Sequence, residues 1–132
     1  MTTELTLLAW VLVLAAVQIL LTAAFRTRRY GLRWNAGPRD EVMPPPDKLT
    51  GRLERAQANL FETLPLFIAA VLIAHAAGRE GPLTRLGAEL YVWGRVAHLP
   101  LYALGVPYLR SLVWVASFVG LLLIFAAILG PA

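Results

Sequence analysis

The sequence predicts an all-α membrane protein, a four-transmembrane-helix bundle forming a single domain over residues 1–132. Two observations predict it. Hydrophobic residues make up 58% of the chain and charged residues 15%, with a mean hydropathy of +0.64, which lies outside the range of soluble domains. Four apolar runs of about 20 residues each match the length needed to cross a bilayer core of about 30 Å. The absence of cysteine excludes disulfides, cysteine metal ligands and a thiol nucleophile from the protein itself. Any thiol chemistry must use a thiol that a ligand brings.

The first run, residues 5–25, contains one amide, Gln18, and no charge. A secretory signal would carry a basic flank before an apolar core of about 7–15 residues. Here Glu4 precedes the run and Arg26, Arg28 and Arg29 follow it, so the run reads as a retained helix. The loop at residues 26–52 holds Arg26, Arg28, Arg29, Arg33, Arg39, Lys48 and Arg52, seven of the twelve basic residues; the second loop offers Arg79 and Arg85. That asymmetry predicts a cytoplasmic first loop with both termini outside. Within the loop, Asn35, Gly37 and Pro38 are turn formers and Pro44, Pro45 and Pro46 favour an extended polyproline path. A loop of this length is expected to be more than a tether.

The second and third runs, residues 53–77 and 83–104, are marginal by hydropathy because they carry Arg55, Asn59 and Glu62, and Arg95 and His98. The fourth, residues 109–129, is again clean. Arg55, Asn59 and Glu62 fall at i, i+4 and i+7, with Arg52 one turn earlier, so all four share a helical face. Counted from a helix start near Leu53, Asn59 and Glu62 lie about 9 and 14 Å along the axis. A charge at the centre of a spanning helix costs roughly 2.5–3.5 kcal/mol, so Glu62 needs protein or water around it and a partner. Tyr91, Arg95, His98 and Tyr102 follow i, i+4, i+7 and i+11 in the third run. Arg95 lies about 14 Å from the end near Leu104, the same depth as Glu62, which predicts a buried pair.

Two readings of these stripes stay open. One is a polar seam that fixes helix register and subunit association. The other is an anion-binding cavity, favoured because Arg55, Asn59, His98, Tyr102 and Arg110 gather toward one end beside the loop arginines. Tyr91, Trp93 and Trp114 are assigned to an interfacial aromatic belt, which would also accommodate Tyr102. The net charge of +4 follows from basic loops of a membrane protein and does not call for nucleic acid. His75 and His98 have no ligand-spaced companions, so no metal site is expected.

The stretch "RAQANLFETLPLF" resembles the second-helix signature of the MAPEG family, the membrane-associated proteins of eicosanoid and glutathione metabolism. "GRVAHLPLYALG" and "LRSLVW" resemble the third helix and the start of the fourth in the same family, and the four-helix plan agrees along the whole chain. The resemblance implies a homotrimer, with glutathione held between adjacent subunits and open toward the cytoplasmic side. It implies tripeptide contacts from Arg55, Asn59 and Glu62, and from Arg95, His98 and Tyr102. It places Arg110 as the arginine that activates the thiol, with Tyr102 beside it, and matches Arg26 and Arg29 to first-loop arginines. The implied activity is glutathione transfer to a lipophilic small-molecule substrate entering from the membrane lipids, or reduction of a lipid hydroperoxide. The alternative is a non-catalytic membrane protein that keeps the seam for assembly or binds another anionic metabolite. Thr63 stands where the leukotriene-forming branch has tyrosine and Ala58 where the prostaglandin-forming branch has arginine, so neither specificity carries over. "YGLRWNAGPRDE" resembles a bacterial subgroup, which implies the bacterial inner membrane.

Overall fold

The computed structural model describes residues 1–131, among which there are five helices and no strand: α1 (Thr3–Tyr30), α2 (Leu32–Ala36), α3 (Lys48–Ala76), α4 (Pro82–Ala103) and α5 (Pro107–Leu129). Ala132, the end of the expected domain and of the C-terminus placed outside, lies beyond the described residues. The four long helices match the four apolar runs, but α1 continues to Tyr30 and α3 begins at Lys48. Both extensions are polar turns, carrying Arg26, Arg28 and Arg29 on one helix and Lys48 and Arg52 on the other. Propensity and capping continue a helix past the point where its apolar content ends.

Three of the helices, α1, α3 and α5, are long and apolar enough to cross a membrane. Of the four expected spans, two of them marginal by hydropathy, three are therefore met on composition and one of the marginal pair, α4, is not. α3 qualifies because its charges sit in the first half and the remainder, from Leu64 onward, is almost entirely apolar. α4 falls short through Glu89, Arg95 and His98, yet two of these are hidden: Arg95 is 1% exposed and His98 2%. Arg95 and His98 thus turn their polarity into the bundle, while Glu89 and Arg85 remain exposed on the same helix.

The long helices alternate in direction. At one end Thr2 Oγ1 donates to Glu80 Oε2 at 2.7 Å, His75 Nδ1 lies 3.0 Å from Glu80 Oε1, and Thr84 Oγ1 donates to the buried Glu4 Oε1 at 2.6 Å. Arg79 Nη1 reaches the carbonyl of Gly130 at 2.7 Å. These bonds bring the N-terminus, the turn between α3 and α4 and the end of α5 to the same end of the bundle. At the other end, the loop end, Arg26 Nε binds Glu54 Oε1 at 2.8 Å and Thr22 Oγ1 donates to the Leu53 carbonyl at 3.5 Å.

The loop that precedes α3 is folded. Asn35, expected in a turn, belongs to α2, and the turn follows at Gly37. Tyr30 packs on Trp34 at 4.8 Å between ring centroids, and Arg39 lies over the Trp34 ring at 4.6 Å. The Tyr30 hydroxyl and Arg29 Nη2 donate to the carbonyls of Pro44 and Pro45, at 2.7 and 3.3 Å.

In the bundle centre, Phe67 stacks on Tyr91 with centroids 4.0 Å apart, among Val11, Leu60, Leu64, Val71, Leu121 and Ile124. Tyr91 is fully buried, with its hydroxyl 2.9 Å from Thr63 Oγ1, so its assignment to an interfacial belt is corrected. A tyrosine whose hydroxyl has a partner is as much a core residue as phenylalanine. α4 and α5 form the closest pair. A Cβ on Gly87 would lie 2.5 Å from the Gly120 carbonyl oxygen, and one on Gly120 would lie 2.4 Å from the Gly87 oxygen. Small residues permit this backbone contact, which supplies packing where lipid offers no hydrophobic drive.

Two outcomes are expected. Gly120→Ala should lower stability by about 1–3 kcal/mol, because backbone atoms must move to admit the methyl group; thermal unfolding in detergent micelles measures it, and a wild-type midpoint would contradict the close contact. The Thr2 hydroxyl, followed by His75, holds the Glu80 carboxyl below its ordinary value of 4.5. A depressed carboxylate contributes stability above its unfolded pKa and loses it as pH falls through the folded one. The protection factors of amides in the first turns of α1, corrected for intrinsic exchange, should therefore fall as the pH drops below 4.5, and Glu80→Gln should remove that loss of protection.

Candidate functional site

At the loop end of the bundle, α3, α4 and the first turns of α5 converge on Tyr102. The chain reverses between α4 and α5 at Gly105, whose φ of +73° suits glycine. A second reason is space: a Cβ there would lie 2.8 Å from the Arg52 guanidinium, which also reaches the Ala103 carbonyl at 3.4 Å. Pro107 opens α5, where its missing N–H costs nothing. Three residues later Arg110 lies over the Tyr102 ring, 4.5 Å from its centroid, and Arg55 approaches the same ring at 6.0 Å. His98 packs edge-on against Tyr102 at 5.5 Å.

Two adjoining cavities result. One, of about 190 Å³, is lined by Arg52, Arg55, Tyr102, Gly105, Val106, Pro107 and Arg110. The other, of about 250 Å³, is lined by Asn59, His98, Tyr102, Arg110, Ser111, Trp114 and Val115. Tyr102 and Arg110 form the wall between them. Neither cavity is lined by a carboxylate. The salt bridges among the described residues are Arg26 with Glu54 and His75 with Glu80, so Arg52, Arg55 and Arg110 have no acidic partner. Three guanidinium groups gathered without counter-charge favour an anion, and their planar forks suit carboxylates.

The structure thus brings together Arg55, Asn59, His98, Tyr102 and Arg110 from the residues singled out in the sequence. The other four behave differently. Arg95 lines neither cavity: its Nη1 donates to Asn59 Oδ1 at 2.8 Å, and its Nη2 is sealed from solvent without a partner. The predicted ion pair with Glu62 is absent among the described residues, and Glu62 is exposed on α3. Equal depth was a poor guide because Asn59, one turn nearer the loop end, sits directly across from Arg95. Arg26 is committed to Glu54, and Arg29 lies against the proline strap, so neither reaches Tyr102 within one chain.

Several lining residues escaped the sequence reading. Ser111 and Trp114 share the first turns of α5 with Arg110, and Trp114 at i+4 from Arg110 was the available signal. Trp114 also stacks on Phe118 at 5.2 Å, which holds its ring as one wall of the cavity. Thr63 is occupied in the core with Tyr91, which removes it from the site.

Compared with known proteins, the chain matches the family model described as the MAPEG family over residues 7–130, nearly its whole length. No curated protein and no solved structure matches it.

The Asn59–Arg95 bond leads to a measurable asymmetry. A double-mutant cycle of Asn59→Leu and Arg95→Met should show a coupling of about 1.5–3 kcal/mol, as for a hydrogen bond to a charged group. The matching cycle with Glu62→Gln should couple by less than about 0.5 kcal/mol. A reversed order in unfolding experiments would restore the ion pair and remove Asn59 as the partner.

Proposed function

The chain belongs to the MAPEG family, and from that premise we propose that it binds glutathione, or a similar anionic thiol, around Tyr102 and uses it on lipophilic substrates drawn from the bilayer. Family membership together with three apolar spanning helices makes it an integral membrane protein. In the proposed arrangement α4 is a fourth span, the first loop is cytoplasmic and both termini lie outside the inner membrane of a bacterium. The position of both chain ends at one end of the bundle supports an even number of crossings.

The observation that carries the reading is the convergence of Arg52, Arg55 and Arg110 on Tyr102 with no carboxylate lining the cavities. The residues fit the tripeptide by charge. The arginines match its two carboxylates, and Asn59 adds an amide. Glu62, exposed one helical turn beyond Asn59, is the acid available for the ammonium group. An exposed carboxylate at that depth is costly against lipid, which supports cover by ligand or by a neighbouring subunit of a homotrimer.

The guanidinium of Arg110 is a cation, and a cation beside the sulfur favours the thiolate over the thiol. The Tyr102 hydroxyl makes no hydrogen bond among the described residues and is free to donate to the same sulfur. The bound thiol supplies the nucleophile: its sulfur forms a bond to an electrophilic carbon whose leaving group departs with the electron pair, or it takes the terminal oxygen of a hydroperoxide and leaves an alcohol. In the second case another thiol reduces the resulting sulfenic acid to a disulfide and water. Trp114, Val115 and the exposed face of α5 give the electrophile an apolar approach to Arg110.

Titration calorimetry with glutathione tests binding, and Arg55→Ala should weaken it. The pKa of a free thiol is about 8.5, and a depression of two units corresponds to about 2.7 kcal/mol. The absorbance of bound thiolate should therefore persist well below pH 8 in the wild type. In Arg110→Ala its midpoint should return toward that of the free thiol, and conjugation of an aryl halide at pH 7 should fall by about tenfold or more. Unchanged titration and turnover would reduce Arg110 to an anchor of α5 at the headgroups.

A further inference from the structure

The loop end of the bundle holds a third basic cavity, of about 420 Å³, lined by Phe25, Arg28, Arg29, Asp47, Leu49 and Thr50. It shares no lining residue with the two cavities around Tyr102. Its shape is fixed by bonds rather than by loose side chains. Arg29 and Tyr30 hold the proline strap against the end of α1. Thr50, fully buried, donates its hydroxyl to the Asp47 carboxylate and holds that carboxyl below its usual range. Asp47 therefore faces the cavity already engaged, with Arg29 as its nearby counter-charge.

Arg28 is different. It is exposed, and no hydrogen bond or salt bridge joins it to any described residue. Arg26, two residues earlier, is neutralised by Glu54, so Arg28 is the uncommitted cation of this turn. Phe25, the last residue of the first apolar run, and Leu49 supply hydrocarbon beside it. The cavity thus straddles the level at which the apolar content of α1 ends and its charge begins. Two arginines against one aspartate leave a single positive charge.

We propose that this cavity binds the headgroup of an anionic phospholipid. The guanidinium of Arg28 takes the phosphate in a forked contact, Arg29 adds field, and Phe25 and Leu49 cover the glycerol and the first carbons of the acyl chains. A single phosphodiester charge matches the cavity's net charge. The hydrocarbon favours a lipid over a soluble phosphate, because a soluble ligand gains nothing from Phe25 and Leu49, whereas a lipid arrives with its phosphate at this level of the membrane.

The test uses the purified full-length protein in a zwitterionic detergent, with retained lipids counted by native mass spectrometry. Phosphatidylglycerol, phosphatidylethanolamine and phosphatidylcholine are compared, with glycerol 3-phosphate as a soluble competitor. Phosphatidylglycerol should be held about fivefold more tightly than the two zwitterionic lipids, and Arg28→Gln should erase the preference while leaving the unfolding temperature unchanged. Equal retention of all three lipids, or a preference that survives Arg28→Gln, would overturn the proposal. Displacement by glycerol 3-phosphate at equal concentration would make this a soluble-phosphate site instead. A parallel loss of glutathione affinity in Arg28→Gln would assign the cavity to the thiol site. The lipid titration contains no glutathione, so its failure is separate from any failure of the thiol reading.

Discussion

The bundle is organised around one buried cation. Arg95 is 1% exposed in the apolar interior, and the bond from its Nη1 to Asn59 at 2.8 Å is its only hydrogen bond among the described residues. A guanidinium in such a place is tolerable only when other groups hold it in register. That requirement fixes the rotation of α3 against α4. Once Asn59 faces Arg95, Thr63 one turn later meets Tyr91 one turn earlier on α4, and Phe67 reaches the Tyr91 ring. In the other direction the same rotation turns Arg55 and Arg52 toward Tyr102 and Gly105. Core and cavity are thus two ends of one interface.

Much of this was legible in the sequence because helical periodicity is a strong signal. The stripes at Arg55, Asn59 and Glu62 and at Arg95, His98 and Tyr102 named two facing helices and four residues of the cavity lining, Arg55, Asn59, His98 and Tyr102. Pairing was less legible. A depth count is accurate to about a turn, and a turn separates Glu62 from Asn59 on one face. Tyr91 was misplaced for a related reason: an amphipathic aromatic residue fits a headgroup belt and a bundle interior equally well until its neighbours are known. The folded loop rests on side chain to carbonyl bonds such as Tyr30 to Pro44, between residues far enough apart that no local pattern announces them.

The two ends of the bundle differ in chemistry. At the end carrying both termini, acids are satisfied: Glu4 by Thr84, and Glu80 by Thr2 and His75. At the loop end arginines predominate, and among the described residues Arg26 is the one of them in a salt bridge. Satisfied groups hold a structure together, while unpaired groups of one sign confer affinity for something else. The division of labour between stability and recognition therefore runs along the membrane normal.

The contact between Gly87 and Gly120 also governs how such a molecule can deform. Backbone pressed on backbone leaves no side chain to yield, so α4 and α5 are joined as a single stiff hairpin, whereas α4 meets α3 through side chains held in register by the Asn59–Arg95 and Thr63–Tyr91 bonds. The hairpin carries His98, Tyr102, Arg110 and Trp114; α3 carries Arg52, Arg55 and Asn59. The cavities therefore sit between two jaws. Displacing the hairpin about those bonds changes the gap between the jaws while the spacing within each, Arg110 over Tyr102 included, stays constant.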